Sequence, residues 1–106
     1  MTLDVLRLAL YARSMIQSFQ CEKTHSLFLT RKSRRWGFML SIALRKLDQL
    51  EAAARLDDLR APPGNRLESL RGSRRGQHSI RINDQWRICF VWKGDGVHDV
   101  EVVDYH

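Results

Sequence analysis

The segment VEVVDYH brings an acid, a phenol and an imidazole together at Asp104, Tyr105 and His106. Histidine titrates near neutral pH and can take or give a proton there. A tyrosine can orient a phosphate or stack on a base. Arg71 and Arg87 add guanidinium groups suited to forked contacts with phosphate oxygens. Such a set fits phosphodiester cleavage by internal transfer. One group draws the proton from a 2′-hydroxyl, a second protonates the leaving oxygen, and cations hold charge on the phosphorane as it forms. The competing reading of Asp104–His106 is a frayed end whose tyrosine packs on a sheet. The chemistry needs no metal, and no metal-ligand spacing is present. His25, His78, His98 and His106 are scattered, and Cys21 and Cys89 lie far apart outside any CxxC pattern. Two free thiols and no cofactor are expected.

The composition agrees with a polyanionic partner. Eighteen Lys and Arg against twelve Asp and Glu give a net charge of +6, a balance that favours nucleic acid without specifying it. With 106 residues, 43% of them hydrophobic, the chain is one ordinary domain rather than a disordered one. Residues 1–14, MTLDVLRLALYARS, lack a basic leader and are too short to span a membrane. They read as an extension ahead of a domain over 15–106, or as a helix docked on it, and the protein is expected in the cytoplasm.

Elements to position these groups follow from periodicity. Ile16–Gln20 alternates and predicts a first strand. KTHSLFLT predicts a short helix, followed by the basic run Arg31–Arg35, a solvated loop or a phosphate contact. From Trp36, apolar residues at Leu40, Ala43, Leu44, Leu47, Leu50 and Ala54 predict a longer helix that runs on until APPGN (Ala61–Asn65). The period then becomes two. NRLESLRG, GQHSIRIN, WRICFVW and HDVEVVDY predict four strands, with a hairpin turn at Lys93–Gly96. The expected fold is α+β, in the order β-α-α-β-β-β-β. Two helices pack on one face of a small, mostly antiparallel sheet.

Strand phase then sorts the arginines. With Ile80, Ile82, Trp86, Ile88 and Phe90 toward the helices, Arg81, Asn83 and Arg87 fall on the other face. Arg66, Arg71, Arg74 and Arg75 come from the preceding strand and turn. Most of them could merely solvate a sheet, whereas Arg87, between Trp86 and Ile88, sits where a solubilising group is least needed. Asp99, Glu101 and Asp104 could neutralise part of this charge. Trp36 and Trp92 fit core packing better than base stacking.

The stretch PPGNRLESLRGSRRGQHSIRINDQWRICFVW, closed by VEVVDYH, resembles the HigB toxins of bacterial toxin–antitoxin pairs, within the RelE-like superfamily. The resemblance covers Met15–His106. It implies a metal-independent endoribonuclease that depends on the ribosome and cuts mRNA in the A site, so inhibiting translation. It implies Asp104, Tyr105, His106, Arg87 and Arg71 as catalytic and Asn83 near the substrate, while the basic face read from strand phase adds Arg66, Arg74, Arg75 and Arg81 as RNA-binding candidates. Glu68, which stands where some members carry a histidine, and His78, on the strand before Arg81, are accessory candidates. The resemblance also implies a HigA-like helix-turn-helix antitoxin as partner, which would carry the pair to operator DNA. Two other functions fit the same residues, a non-catalytic RNA- or ribosome-binding module and a co-repressor of its own operon.

Overall fold

Apolar residues spaced by three and four can bury one side of a helix and leave the rest to solvent. The computed structural model, which describes residues 14–105, places two such helices against one face of a sheet. Helix α1 spans Glu22–Thr30 and α2 spans Leu40–Ala52. In α2 the buried stripe is Ala43, Lys46, Leu47 and Leu50, so a lysine stands among the core positions. Helix α1 buries Thr24 and Leu27. The Thr24 hydroxyl accepts the Val102 N–H at 3.0 Å, which fixes α1 to the last strand. Arg31 ends α1 in the left-handed conformation and donates to both Asp48 carboxylate oxygens, at 2.9 and 2.6 Å, joining the two helices.

The second helix stops earlier than its apolar pattern predicts. The Asp58 carboxylate accepts the N–H groups of Ala54 and Arg55, both at 2.9 Å, and so competes with continued helix. The chain turns instead into a 3-10 turn, Leu56–Arg60, with Leu59 fully buried.

Four strands follow: β1 (Glu68–Ser69), β2 (His78–Arg81), β3 (Trp86–Lys93) and β4 (Gly96–Asp104). They form an antiparallel sheet in sequence order. Ile80, Ile88 and Phe90 are fully buried beneath the helices. The segment expected as a first strand is reduced to two isolated parallel bridges, Ile16 to Val97 and Phe19 to Val100. A bulge in β4 explains why it goes no further. The β3–β4 register slips between Cys89 and Val91, and Asp99 takes a left-handed φ of 53°. Val97 and Val100, three apart, thereby both face the core. Ser18 holds the bulge, its hydroxyl accepting the Asp99 N–H at 2.9 Å. Cys21 and Cys89 are free thiols, and burial pushes the Cys89 thiol up.

The N-terminal segment can approach β4 only because Gly96 has no side chain. Its φ is 139°, and a Cβ there would meet the Met15 carbonyl oxygen at 2.3 Å. Gly96→Ala is therefore expected to lower stability by about 2 kcal/mol or more, read from urea unfolding. It should also speed hydrogen exchange of the Val97 N–H, which donates to Met15.

Candidate active site

Residues paired across antiparallel strands point to the same face. Arg87 lies opposite Arg81 on β2 and Val103 on β4, while Ser79 lies opposite Glu68 and Cys89. Glu68, Ser79, Arg81 and Arg87 thus share the face away from the helices, beside a cleft of about 320 Å3 that Arg66 and Tyr105 also line.

Arg87 is only 7% exposed. Its Nε donates to the Ser79 hydroxyl at 2.7 Å, and its Nη2 to the carbonyls of Arg66 and Ser79 at 2.5 and 3.3 Å. Nη1 has no hydrogen bond among the described residues, which leaves its two protons for a ligand in the cleft. Arg66 reaches its position through a left-handed turn, φ 46°, after the 3-10 turn Pro63–Asn65. Arg81 pairs with the exposed carboxylate of Asp84. Asn83 also lines the cleft, but its carbonyl oxygen closes the turn before β3 by accepting the N–H groups of Gln85 and Trp86 at 2.9 and 2.8 Å.

The remaining expected site residues divide. Tyr105 is 40% exposed and held by its N–H to the Gln85 carbonyl at 2.6 Å. Asp104 lies opposite Trp86, on the helix side of the sheet, and accepts from the Gln85 amide at 3.0 Å. His106 lies outside the described residues. Arg74 reaches Glu101 at 3.3 Å and Gln77 at 3.1 Å, near Val103 and Tyr105. Arg71 and Arg75 are exposed at the ends of the 3-10 turn Gly72–Arg74 and do not line the cleft. His78 pairs in register with Phe90 and stacks on it at 6.1 Å, so it faces the core side, away from Arg87. Trp36 is buried and Trp92 packs against the core.

Three buried polar residues carry little sequence signal. Ser79 reads as a small strand residue. Asn65 reads as part of a loop after two prolines, yet it is fully buried. Lys46 is visible only as a charge inside the apolar stripe, four residues before Leu50. A larger groove of about 810 Å3, bounded by Arg35, Trp36, Trp86 and Asp104 among others, lies between α1 and the end of β4 and does not include Arg87. Among the described residues no group of three His, Cys, Asp or Glu could hold a metal ion, and no helix is long and apolar enough to cross a membrane.

The architecture is thus two helices on one face of a four-stranded antiparallel sheet. A chain of the YoeB–YefM complex from Staphylococcus aureus shares this fold with a TM-score of 0.51 at 14% identity, over 86% of this chain and 97% of that one. The model of the RelE-like toxin of type II toxin–antitoxin system HigB matches residues 11–106, and the chain belongs to that family. Toxin HigB-1 of Vibrio cholerae is 50% identical over 62 residues, 58% of this chain. An uncharacterized protein of Haemophilus influenzae is 34% identical over 62 residues, again 58% of this chain. The matches span 64% and 61% of those relatives' lengths.

Ser79→Ala removes the acceptor of a buried guanidinium N–H and is expected to cost about 1–3 kcal/mol in urea unfolding. Burial also lowers the pKa of His78. The unfolded chain therefore takes up a proton there before the folded one does. Stability should fall as pH drops below about 6.5, the unfolded value. His78→Gln should remove that part of the slope when unfolding free energies are compared between about pH 7 and pH 5.

Proposed function

We propose that the chain is a ribosome-dependent endoribonuclease that cleaves mRNA in the ribosomal A site and is neutralised by a HigA-like helix-turn-helix antitoxin. The catalytic domain is assigned to residues 15–106, with 1–14 as an extension, acting in the cytoplasm. The observation that carries the reading is the cleft beside Arg87. In it a buried, doubly anchored guanidinium keeps one nitrogen uncommitted beside Arg66, Arg81 and Tyr105. Family membership supports it.

In this reading the 2′-oxygen attacks the adjacent phosphorus and the 5′-oxygen leaves, giving a 2′,3′-cyclic phosphate and a 5′-hydroxyl end. His106 transfers one of the two protons. Glu68, on the Arg87 face of the sheet, is the better second candidate, since Asp104 stands opposite Trp86. Arg87 and Arg81 hold the charge of the phosphorane. Tyr105 orients the phosphate or stacks on a base, and Arg66 and Arg74 hold flanking phosphates. Arg71 and Arg75, outside the cleft, act as outer contacts to the RNA backbone. Operator binding falls to the antitoxin.

Primer extension on mRNA in a translating extract tests this, with naked mRNA as control. The unaltered protein should give codon-phased cuts only with ribosomes. His106→Ala should lower the rate by about 100-fold or more, the usual scale of a proton-transfer group, and Arg81→Ala should weaken cleavage. Ribosome binding without cuts would instead identify a non-catalytic binding module.

A further inference from the structure

Lys46 is a cation where the fold needs none. It lies in the buried stripe of α2, is 8% exposed, and donates to the Asn65 Oδ1. No carboxylate pairs with it among the described residues. Burial, with Arg45 and Arg81 nearby, pushes its ammonium pKa down. Burying an ammonium without a carboxylate is costly, and an apolar side chain of similar length would fill the space at less cost.

Asn65 uses its side chain almost completely. Besides accepting from Lys46, its amide nitrogen lies within reach of three acceptors: Gln49 Oε1 at 3.0 Å, the Leu59 carbonyl at 3.1 Å and the Ala61 carbonyl at 3.2 Å. An aspartate could not donate to these groups, and a leucine could not accept from Lys46. The residue that follows is Arg66, in a left-handed conformation that L-residues seldom adopt. That turn aims the Arg66 carbonyl at Arg87 Nη2. One end of the Arg87 guanidinium is set by Ser79 on the neighbouring strand, and the other by a loop whose buried asparagine is tied to α2.

We propose that Lys46 and Asn65 are positioning residues: through the Asn65–Arg66 turn they set the Arg66 carbonyl, and with it the orientation of the Arg87 guanidinium in the cleft. Neither is a catalytic residue, since neither lines the cleft. The geometric part stands without the proposed activity; only the kinetic part rests on it.

The test reads Arg87 directly. In the 15N-labelled full chain, the Arg87 Nη2–H resonance, from the nitrogen that meets the Arg66 carbonyl, is assigned by its loss in Arg87→Lys. In Lys46→Met that proton should exchange about tenfold faster, as one anchoring hydrogen bond loosens, while the backbone spectrum stays folded. Lys46→Arg, which keeps a donor, should restore most of the protection. In the translating extract, Lys46→Met should lower cleavage at saturating ribosomes by about tenfold. The ribosome concentration for half-maximal rate should stay unchanged. A folded Lys46→Met with unaltered Arg87 exchange overturns the proposal. If that variant does not fold, Gln49→Ala carries the test, because it removes one acceptor from the Asn65 amide at the half-buried edge of the network. About threefold faster Arg87 exchange supports the proposal and unchanged exchange overturns it. Should the unaltered protein cut no mRNA, the exchange result still decides the positioning role, and the proposed activity fails separately.

Discussion

A guanidinium on a sheet that is itself largely buried is the constraint around which the open face is organised. Arg87 is the second residue of β3, and its charge is tolerated because Nε and Nη2 each meet an oxygen of the protein. Meeting those two groups dictates much nearby. β2 must carry a hydroxyl opposite Cys89, which is Ser79. The loop before β1 must turn left-handed so that a carbonyl arrives over the strand. The cleft is therefore a consequence of satisfying one charge, and the same arrangement keeps that side chain from swinging. A freely rotating arginine would have to be ordered at each encounter with a phosphate. Here the ordering is done during folding.

The other end of the sheet solves a different problem. Strand β4 must cover the core with valines and also accept a parallel neighbour, and strict alternation cannot present Val97 and Val100 to the same side. The extra residue at Asp99 resolves this. The neighbouring segment touches β4 at the same spacing, through Ile16 and Phe19. It is held at one end by the Glu51 carboxylate on α2, which accepts the Ile16 N–H at 2.9 Å. The bulge lies nearer the hairpin than the cleft, so Arg87 and Val103 remain in plain register.

Much of this was legible in the sequence wherever periodicity carried the information. The stripe from Leu40 to Leu50, the switch to alternation after the prolines and the turn at Gly94–Asp95 all follow from spacing, and phase alone put Arg81 and Arg87 on the face away from the helices. What escaped was set by single hydrogen bonds. Nothing in the pattern says that Asp58 ends α2, that Asn83 closes a turn, or that Arg87 is roofed by the Arg66 carbonyl. The family resemblance grouped Arg71 with the site, and proximity in sequence placed Arg75 near it, but a short 3-10 turn carries both outside the cleft. Lys46 escaped because its neighbours in space lie in a loop whose shape the sequence does not encode locally.

The ion pairs at the rim have a consequence for selectivity. Arg81 is met by Asp84 and Arg74 by Glu101, so these arginines carry built-in counter-ions. A single phosphate arriving at Arg81 would exchange one anion for another, with little to gain where the carboxylate of the pair is exposed. A polynucleotide offers a phosphate to each arginine along one backbone, and after the first contact the others arrive at high effective concentration. Asp84 and Glu101 therefore do more than offset charge. In the proposed reading they would make the surface a valence filter, favouring a strand over a mononucleotide.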